Sequence, residues 1–136
     1  MIDTIMFDLD GTLLPMDQIE FVNSYMKHLV GRFAPQGFDG EAIVKGLWAG
    51  VKAMMENDGS MTNEERFWQT FLQFVPDEEH VFRDQIEDFY RNEFDLVQEV
   101  VHDNGITRKL IDDLQQKGYK LILATNPLFP PCAVET

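Results

Sequence analysis

Residues 5–12 read IMFDLDGT. The apolar segment from Ile2 to Phe7 is typical of a strand, and it is followed by two carboxylates, Asp8 and Asp10, and then by Gly11. The segment stops at this glycine, which can adopt backbone angles that other residues avoid. In open α/β sheets, ligands bind beyond the carboxyl ends of the strands. The stretch therefore predicts an α/β fold with a functional site at the two aspartates.

The spacing of these aspartates indicates a chemistry. Side chains alternate along an extended chain, so Asp8 and Asp10 are expected to project toward the same side. Two such carboxylates repel each other unless a cation or a shared proton relieves them, and Mg²⁺ is a cation that prefers oxygen ligands. The pair suits phosphoryl chemistry, in which one carboxylate attacks and the other transfers protons. Solvated turn residues are the alternative, because Asp and Gly are common in turns.

A second α/β unit is predicted near the other end of the sequence. A helix follows Gly105, ends at Gly118 as its C-cap, and leads into an apolar strand over Tyr119–Ala124. The right-handed crossover rule makes this strand parallel to the first one. The carboxyl ends of the two strands then meet, so Thr125 is expected to lie close to the two aspartates.

The long interval between the two strands is predicted to be helical. It holds far more than the dozen or so residues that a plain crossover needs. Apolar residues at helical spacing predict amphipathic helices over residues 17–33 and 41–56, a third that opens with a capping box at Thr62 and Glu65, and a fourth that runs to about Phe94. Four such helices in succession predict a small bundle.

Two segments resemble motifs of a known family. Residues 8–12, Asp-Leu-Asp-Gly-Thr, resemble the first motif of the haloacid dehalogenase-like (HAD) hydrolase superfamily, and residues 121–126, an apolar strand ending in Thr and Asn, resemble the second. The resemblance implies a Rossmann-like parallel sheet core, incomplete in this chain, with an inserted α-helical cap bundle. The core would comprise residues 1–15 and 96–136, and the cap residues 16–95.

The resemblance also implies roles for individual residues. Asp8 corresponds to the nucleophile, and Asp10 to the general acid and base of the phosphatase branch, which the dehalogenase branch lacks. The family holds Mg²⁺ through the carboxylate of the first aspartate and the backbone carbonyl of the second, which makes Asp8 and Asp10 the implied metal ligands. The implied substrate-binding residues are Thr12, Thr125 and Asn126.

The resulting hypothesis is a Mg²⁺-dependent phosphatase-type hydrolase that acts on a small phosphorylated metabolite through an aspartyl phosphate. A sugar phosphomutase would use the same residues. The family's third motif is a lysine after the second motif, and its fourth is a later acidic pair, but residues 127–136 contain no lysine. Asp112 and Asp113 precede the second motif and indicate a solvated helix face. A catalytically silent or truncated HAD-like module with a binding role is therefore the competing hypothesis.

The composition restricts the classes of binding partner and the cellular compartment that we expect. The 24 acidic and 11 basic residues give a formal charge of −13, which opposes binding to nucleic acid and to anionic membrane surfaces. A single cysteine, Cys132, and no apolar run of membrane-spanning length or secretory pattern favour a cytoplasmic protein. A sheet of two strands leaves open edges, so weak stability or self-association through those edges is also expected.

Overall fold

The computed structural model describes residues 2–78, 80–102, 105–125, 128–130 and 133. In this part of the chain the elements are, in order, β1 (Thr4–Phe7), α1 (Gln18–Phe33), α2 (Gly40–Met55), α3 (Asn63–Phe71), α4 (Val81–Asn92), α5 (Ile106–Gln116) and β2 (Lys120–Leu123). Two 3₁₀-helices cover Ala34–Gln36 and Phe94–Val100. The predicted helices are thus all present, whereas neither 3₁₀-helix was predicted. Within these residues no helix is both long and apolar enough to cross a lipid bilayer.

The two strands form a parallel pair, as the crossover rule predicts. Thr4 lies opposite Lys120, and Phe7 lies opposite Leu123. The Lys120 amide also donates to the Asp3 carbonyl oxygen at 2.8 Å, just before β1. Both strands are shorter than the apolar segments that predicted them, because the ladder extends only as far as each strand faces the other. The observed fold is a helix-rich α/β fold with a two-stranded parallel sheet.

Several helices begin at a side chain that caps their first backbone amides. The Asp39 carboxylate accepts hydrogen bonds from the first amides of α2. Thr62 and Glu65 form the predicted capping box of α3, in which each side chain accepts a hydrogen bond from the other residue's backbone amide. Asp77 caps α4 from a distance, accepting from the amides of Phe82 and Arg83 at 3.0 Å. Local polar residues therefore set the helix boundaries that apolar spacing leaves loose.

The chain separates into two compact units. One comprises Met1–Tyr25 and Leu96–Pro127, and the other comprises Met26–Asp95 and Leu128–Thr136. We call these the sheet unit and the helical unit. The boundary within α1 falls after Tyr25. The assignment of 1–15 and 96–136 as a core and of 16–95 as a cap stays a prediction.

The helical unit is built around aromatic side chains. Phe82 of α4 is almost fully buried and stacks on Phe33 with ring centroids 3.9 Å apart, and it also contacts Phe71 at 5.0 Å. Phe129 joins this unit, with its ring 5.1 Å from that of Phe94 and 6.2 Å from that of Tyr90. Residues after β2 therefore contribute to the helical unit.

Two glycines bring α2 and α3 close together. A Cβ on Gly46 would lie 2.9 Å from the Phe71 ring, and one on Gly50 would lie 2.5 Å from the Phe67 ring. Phe67 is itself stacked on Phe71 at 5.4 Å. The absence of side chains at these two positions thus lets the aromatic face of α3 lie directly on α2.

The sheet unit is packed less tightly. No residue of β1, β2 or α5 is buried. Several large apolar side chains of this unit are exposed, including Ile2, Met6, Ile106 and Leu123. Most of the buried apolar side chains belong to the helical unit, so the hydrophobic stabilisation of the described chain is concentrated there.

Candidate active site

The two aspartates lie in a tight turn that follows β1 directly. The Gly11 amide donates to the Leu14 carbonyl oxygen at 3.0 Å, and the amides of Thr12 and Leu14 donate to the Leu9 carbonyl oxygen at 3.1 and 2.9 Å. Gly11 has a φ of +72°, in the left-handed region where a side chain would introduce strain. The backbone angle that glycine permits is thus the one observed at Gly11. We call residues 8–14 the aspartate turn.

Alternation along the chain exposes both carboxylates. Asp8 and Asp10 are exposed, whereas Leu9 between them is half-buried. Partial removal from water raises the pKa of the Asp10 carboxyl, and the negative charge of Asp8 raises that pKa further. Among the residues that the structure describes, no lysine, arginine or histidine nitrogen lies within 4 Å of either carboxylate. The pair is thus an electrostatically strained site that favours a cation or a proton.

The second motif reaches the same edge of the sheet. The Ala124 amide donates to the Phe7 carbonyl oxygen at 2.7 Å, so the two chains remain paired just beyond β2. Thr125 follows at once and is half-buried, next to the start of the aspartate turn. Thr12 is exposed within that turn. Asn126, the remaining predicted site residue, lies outside the described residues, and the predicted roles of all these residues stay predictions.

The oxygen atoms of the aspartate turn fit a hard divalent cation. The three backbone bonds of the turn use the carbonyl oxygens of Leu9 and Leu14, so none of them engages the carbonyl of Asp10. Together with the Asp8 carboxylate this gives two oxygen ligands of the kind that Mg²⁺ takes while keeping several of its waters. The described residues contain no group of three or more His, Cys, Asp or Glu side chains able to hold a metal. Among the described residues, the aspartate turn therefore offers these two oxygen atoms and no larger cluster of ligating side chains.

A hollow of about 400 Å³ lies beside the aspartate turn. Its wall is mainly apolar, and the apolar residues that line it are Leu13, Leu14, Pro15, Val101 and Ile111. Leu14 is also the bridge partner of Asp10, which places one wall of the hollow directly against the site. The His102 amide donates to the Pro15 carbonyl oxygen at 3.0 Å, and this bond holds the two sides of the hollow together.

Three polar residues of α5 complete the lining of this hollow: Thr107, Arg108 and Asp112. The sequence did not reveal them as a group. Asp112 and Asp113 are exposed, as predicted for a solvated helix face, but Asp112 also borders the hollow. Spacing along α5 predicts that residues 108 and 112 share a face, yet only the tertiary structure shows that this face meets Leu13 and Leu14.

Comparison with known proteins gives one match. A family model of haloacid dehalogenase-like hydrolases matches residues 2–131, a range that includes β1, β2 and every helix between them. The comparison with curated proteins found no match. The comparison with solved structures likewise found none. The matched range covers almost the whole chain and includes the aspartate turn, so this protein belongs to the haloacid dehalogenase-like hydrolase family.

Proposed function

We propose that this hydrolase is a Mg²⁺-dependent phosphatase that acts on a small phosphorylated metabolite through an aspartyl phosphate on Asp8. The observation that carries the proposal is the pairing of Asp8 with Asp10 at the carboxyl end of β1, where the pKa of Asp10 is raised. A raised pKa increases the protonated fraction of Asp10 at any given pH, as a general acid requires.

In the first step the Asp8 carboxylate attacks phosphorus, and the bond between phosphorus and the leaving oxygen breaks. The Asp10 carboxyl donates its proton to that oxygen, so the product leaves as an alcohol. The loss of the Asp10 proton is favoured at this stage, because the negative charge of Asp8 that had raised the pKa of Asp10 is consumed in the new bond.

In the second step Asp10, now ionised, accepts a proton from water as the water attacks phosphorus. The bond between phosphorus and the Asp8 oxygen breaks, which releases inorganic phosphate and restores the carboxylate. Thr125, next to the aspartate turn, would donate its hydroxyl to a phosphoryl oxygen. The exposure of both aspartates supports access for water and substrate.

Bound Mg²⁺ would neutralise charge on the phosphoryl oxygens and on Asp8. The Asp8 carboxylate and the Asp10 carbonyl would hold it. The single cysteine supports a reducing, cytoplasmic setting as part of this proposal.

The proposal is tested by Mg²⁺-dependent phosphate release from p-nitrophenyl phosphate and from an alkyl phosphate. Asp8→Asn should abolish release from both, while Asp113→Asn, which removes the same charge from the exposed face of α5, should leave it unchanged. Asp10→Asn should slow the release of the alcohol from the alkyl phosphate by about 10²–10⁴-fold and the first-turnover release of nitrophenolate much less, because nitrophenolate leaves without a proton. Hydrolysis of the aspartyl phosphate, which needs Asp10 as a base, should slow equally for the two esters. Equal activity of Asp8→Asn and the parent chain would refute the role of Asp8.

A silent binding module is the second candidate. It is favoured by the lack of a cationic partner for Asp8 and Asp10 among the described side chains, since removal of such an electrostatic contact typically costs about 10²–10³ in rate. In that case the parent chain and Asp8→Asn would be equally inactive toward both esters. A phosphomutase would instead isomerise a sugar phosphate without net release of phosphate.

A further inference from the structure

The hollow beside the aspartate turn has the features of a site for a small organic anion. Its volume of about 400 Å³ is within the range of small-molecule pockets, roughly 300–1,000 Å³. Most of its wall is contributed by apolar side chains, which favour an apolar body of similar size. All of its lining residues belong to the sheet unit, so its shape is set within one compact body.

Arg108 supplies the charge complementarity. Arg108 is an exposed residue that lines the hollow, and within the described part of the chain no carboxylate lies within 4 Å of its guanidinium. Asp112, one helical turn away on α5, also borders the hollow without forming an ion pair with it. An unpaired guanidinium next to apolar walls is suited to hold a carboxylate through paired N–H donors. The Thr107 hydroxyl is a further donor in the same lining.

The position of the hollow links it to the proposed chemistry. Leu14 forms one wall of the hollow and is bridged to Asp10, the residue proposed to protonate the leaving oxygen. A phosphoester with its phosphorus at Asp8 would therefore have its leaving group next to this wall. Asp10 and Leu14 belong to one tight turn, in which the Gly11 amide donates to the Leu14 carbonyl oxygen at 3.0 Å, so this wall lies within the same turn as the proposed acid.

We propose that the hollow is a leaving-group subsite that takes the apolar body of a carboxylate-bearing phosphoester, with the carboxylate on Arg108. As a statement about substrate, this inference rests on the proposed function. The affinity of the hollow for an apolar carboxylate is independent of the proposed function, because binding of such a compound requires neither phosphoryl transfer nor Mg²⁺.

The first experiment measures that affinity by NMR. The ¹⁵N-labelled chain is titrated with 3-phenylpropanoate in the absence of Mg²⁺, both as the parent and as Asp8→Asn. We expect saturable shifts of the amides of Leu14, Thr107, Arg108 and Ile111, equal in the two proteins, and much weaker binding of the uncharged 3-phenylpropanol. Absence of saturable shifts at these amides would overturn the proposal.

Charge variants then distinguish direct contact between Arg108 and the carboxylate of the ligand from the overall electrostatic field of this acidic protein. Arg108→Gln should weaken 3-phenylpropanoate roughly tenfold, as expected for loss of a charge-assisted hydrogen bond. Lys109→Gln removes the same charge from the neighbouring position, outside the lining, and should change the affinity less than about twofold. Asp112→Asn should tighten binding roughly twofold to fivefold, because a like charge is removed. Equal weakening by the two cation variants would overturn the role of Arg108.

The last measurement connects the hollow to turnover. The ratio of kcat/KM for 4-carboxyphenyl phosphate to that for phenyl phosphate should fall about tenfold in Arg108→Gln and stay constant in Lys109→Gln. Failure of the proposed function would show as no turnover of either ester with binding of 3-phenylpropanoate intact. Failure of the subsite alone would show as turnover of both esters with an unchanged ratio.

Discussion

The carboxyl of Asp10 links the site to the stability of the fold. Its pKa is about 3.8 in an unfolded chain and is raised in the folded one, so the folded state holds more protons between these two values. The free energy of unfolding therefore falls as pH rises through this window, and the loss is complete above the raised pKa. A proton or a cation at the site would offset this loss of folding stability.

We predict that Asp10→Asn raises the Tm at pH 7 and leaves it unchanged below pH 3.8, where the parent carboxyl is protonated in both states. The increase should be small, because Asp10 is exposed and solvent screens the charge of Asp8. Thermal melts at the two pH values measure the effect, with Asp113→Asn as the control for loss of one negative charge. A Tm at pH 7 equal to or below that of the parent chain would contradict the prediction.

The positions of single residues were predictable from sequence where they depend only on the local path of the backbone. The aspartates and Gly11 follow a strand directly, so their position at its carboxyl end needs only local geometry. The proposed binding role of Arg108 was not predictable, because an arginine on an amphipathic helix is typical of a solvated surface. Its placement beside Leu14 depends on the packing of α5 against a segment more than ninety residues earlier in the sequence.

At the scale of secondary-structure elements, the contact between α2 and α3 predicts how two glycine substitutions change the stability of the chain. Gly50→Ala should destabilise the chain by about 1–3 kcal/mol, because the new Cβ would lie 2.5 Å from the Phe67 ring and displace it from its stack on Phe71. Gly31→Ala should instead stabilise it by about 0.5–1 kcal/mol, because Gly31 lies within α1 and no atom would meet its Cβ within 4 Å.

Urea unfolding followed by circular dichroism measures this matched pair. The two substitutions are chemically identical and both lie in helices, so helix propensity favours alanine at each position. Opposite signs of the change in midpoint therefore report packing alone. A stabilised Gly50→Ala variant would mean that the aromatic face of α3 does not rest on α2.

The helices themselves were predictable, and the contacts between them were not. Capping residues such as Thr62 and Asp77 act within a few residues of their helix, so sequence carries their effect. The 3₁₀-helix over Phe94–Val100 has no such local signal, and it was not predicted. The pairing of Phe129 with Phe94 depends on the path of the whole chain, which no periodicity encodes.

At the scale of the molecule, more of the large exposed apolar side chains belong to the sheet unit than to the helical unit. We predict that the chain self-associates through its sheet and that Met6→Lys, on β1, shifts sedimentation toward the monomer. Met6 is 65% exposed, so the substitution should change the Tm little. Met55→Lys is the matched control, because Met55 is 77% exposed but belongs to the helical unit. A monomeric parent chain, or equal effects of the two variants, would contradict this prediction.

Parallel pairing of β1 with β2 also determines the order in which the molecule is completed during synthesis. Thr4 and its partner Lys120 are separated by more than a hundred residues, so β1 waits unpaired while the helices that supply Phe33 and Phe82 are made and pack together. The strand that leads to Thr125 then joins after those helices. A nascent chain would accordingly pack the helices that lie between the two strands before its aspartate turn acquires the neighbouring strand, and this edge of the sheet would mature after those helices.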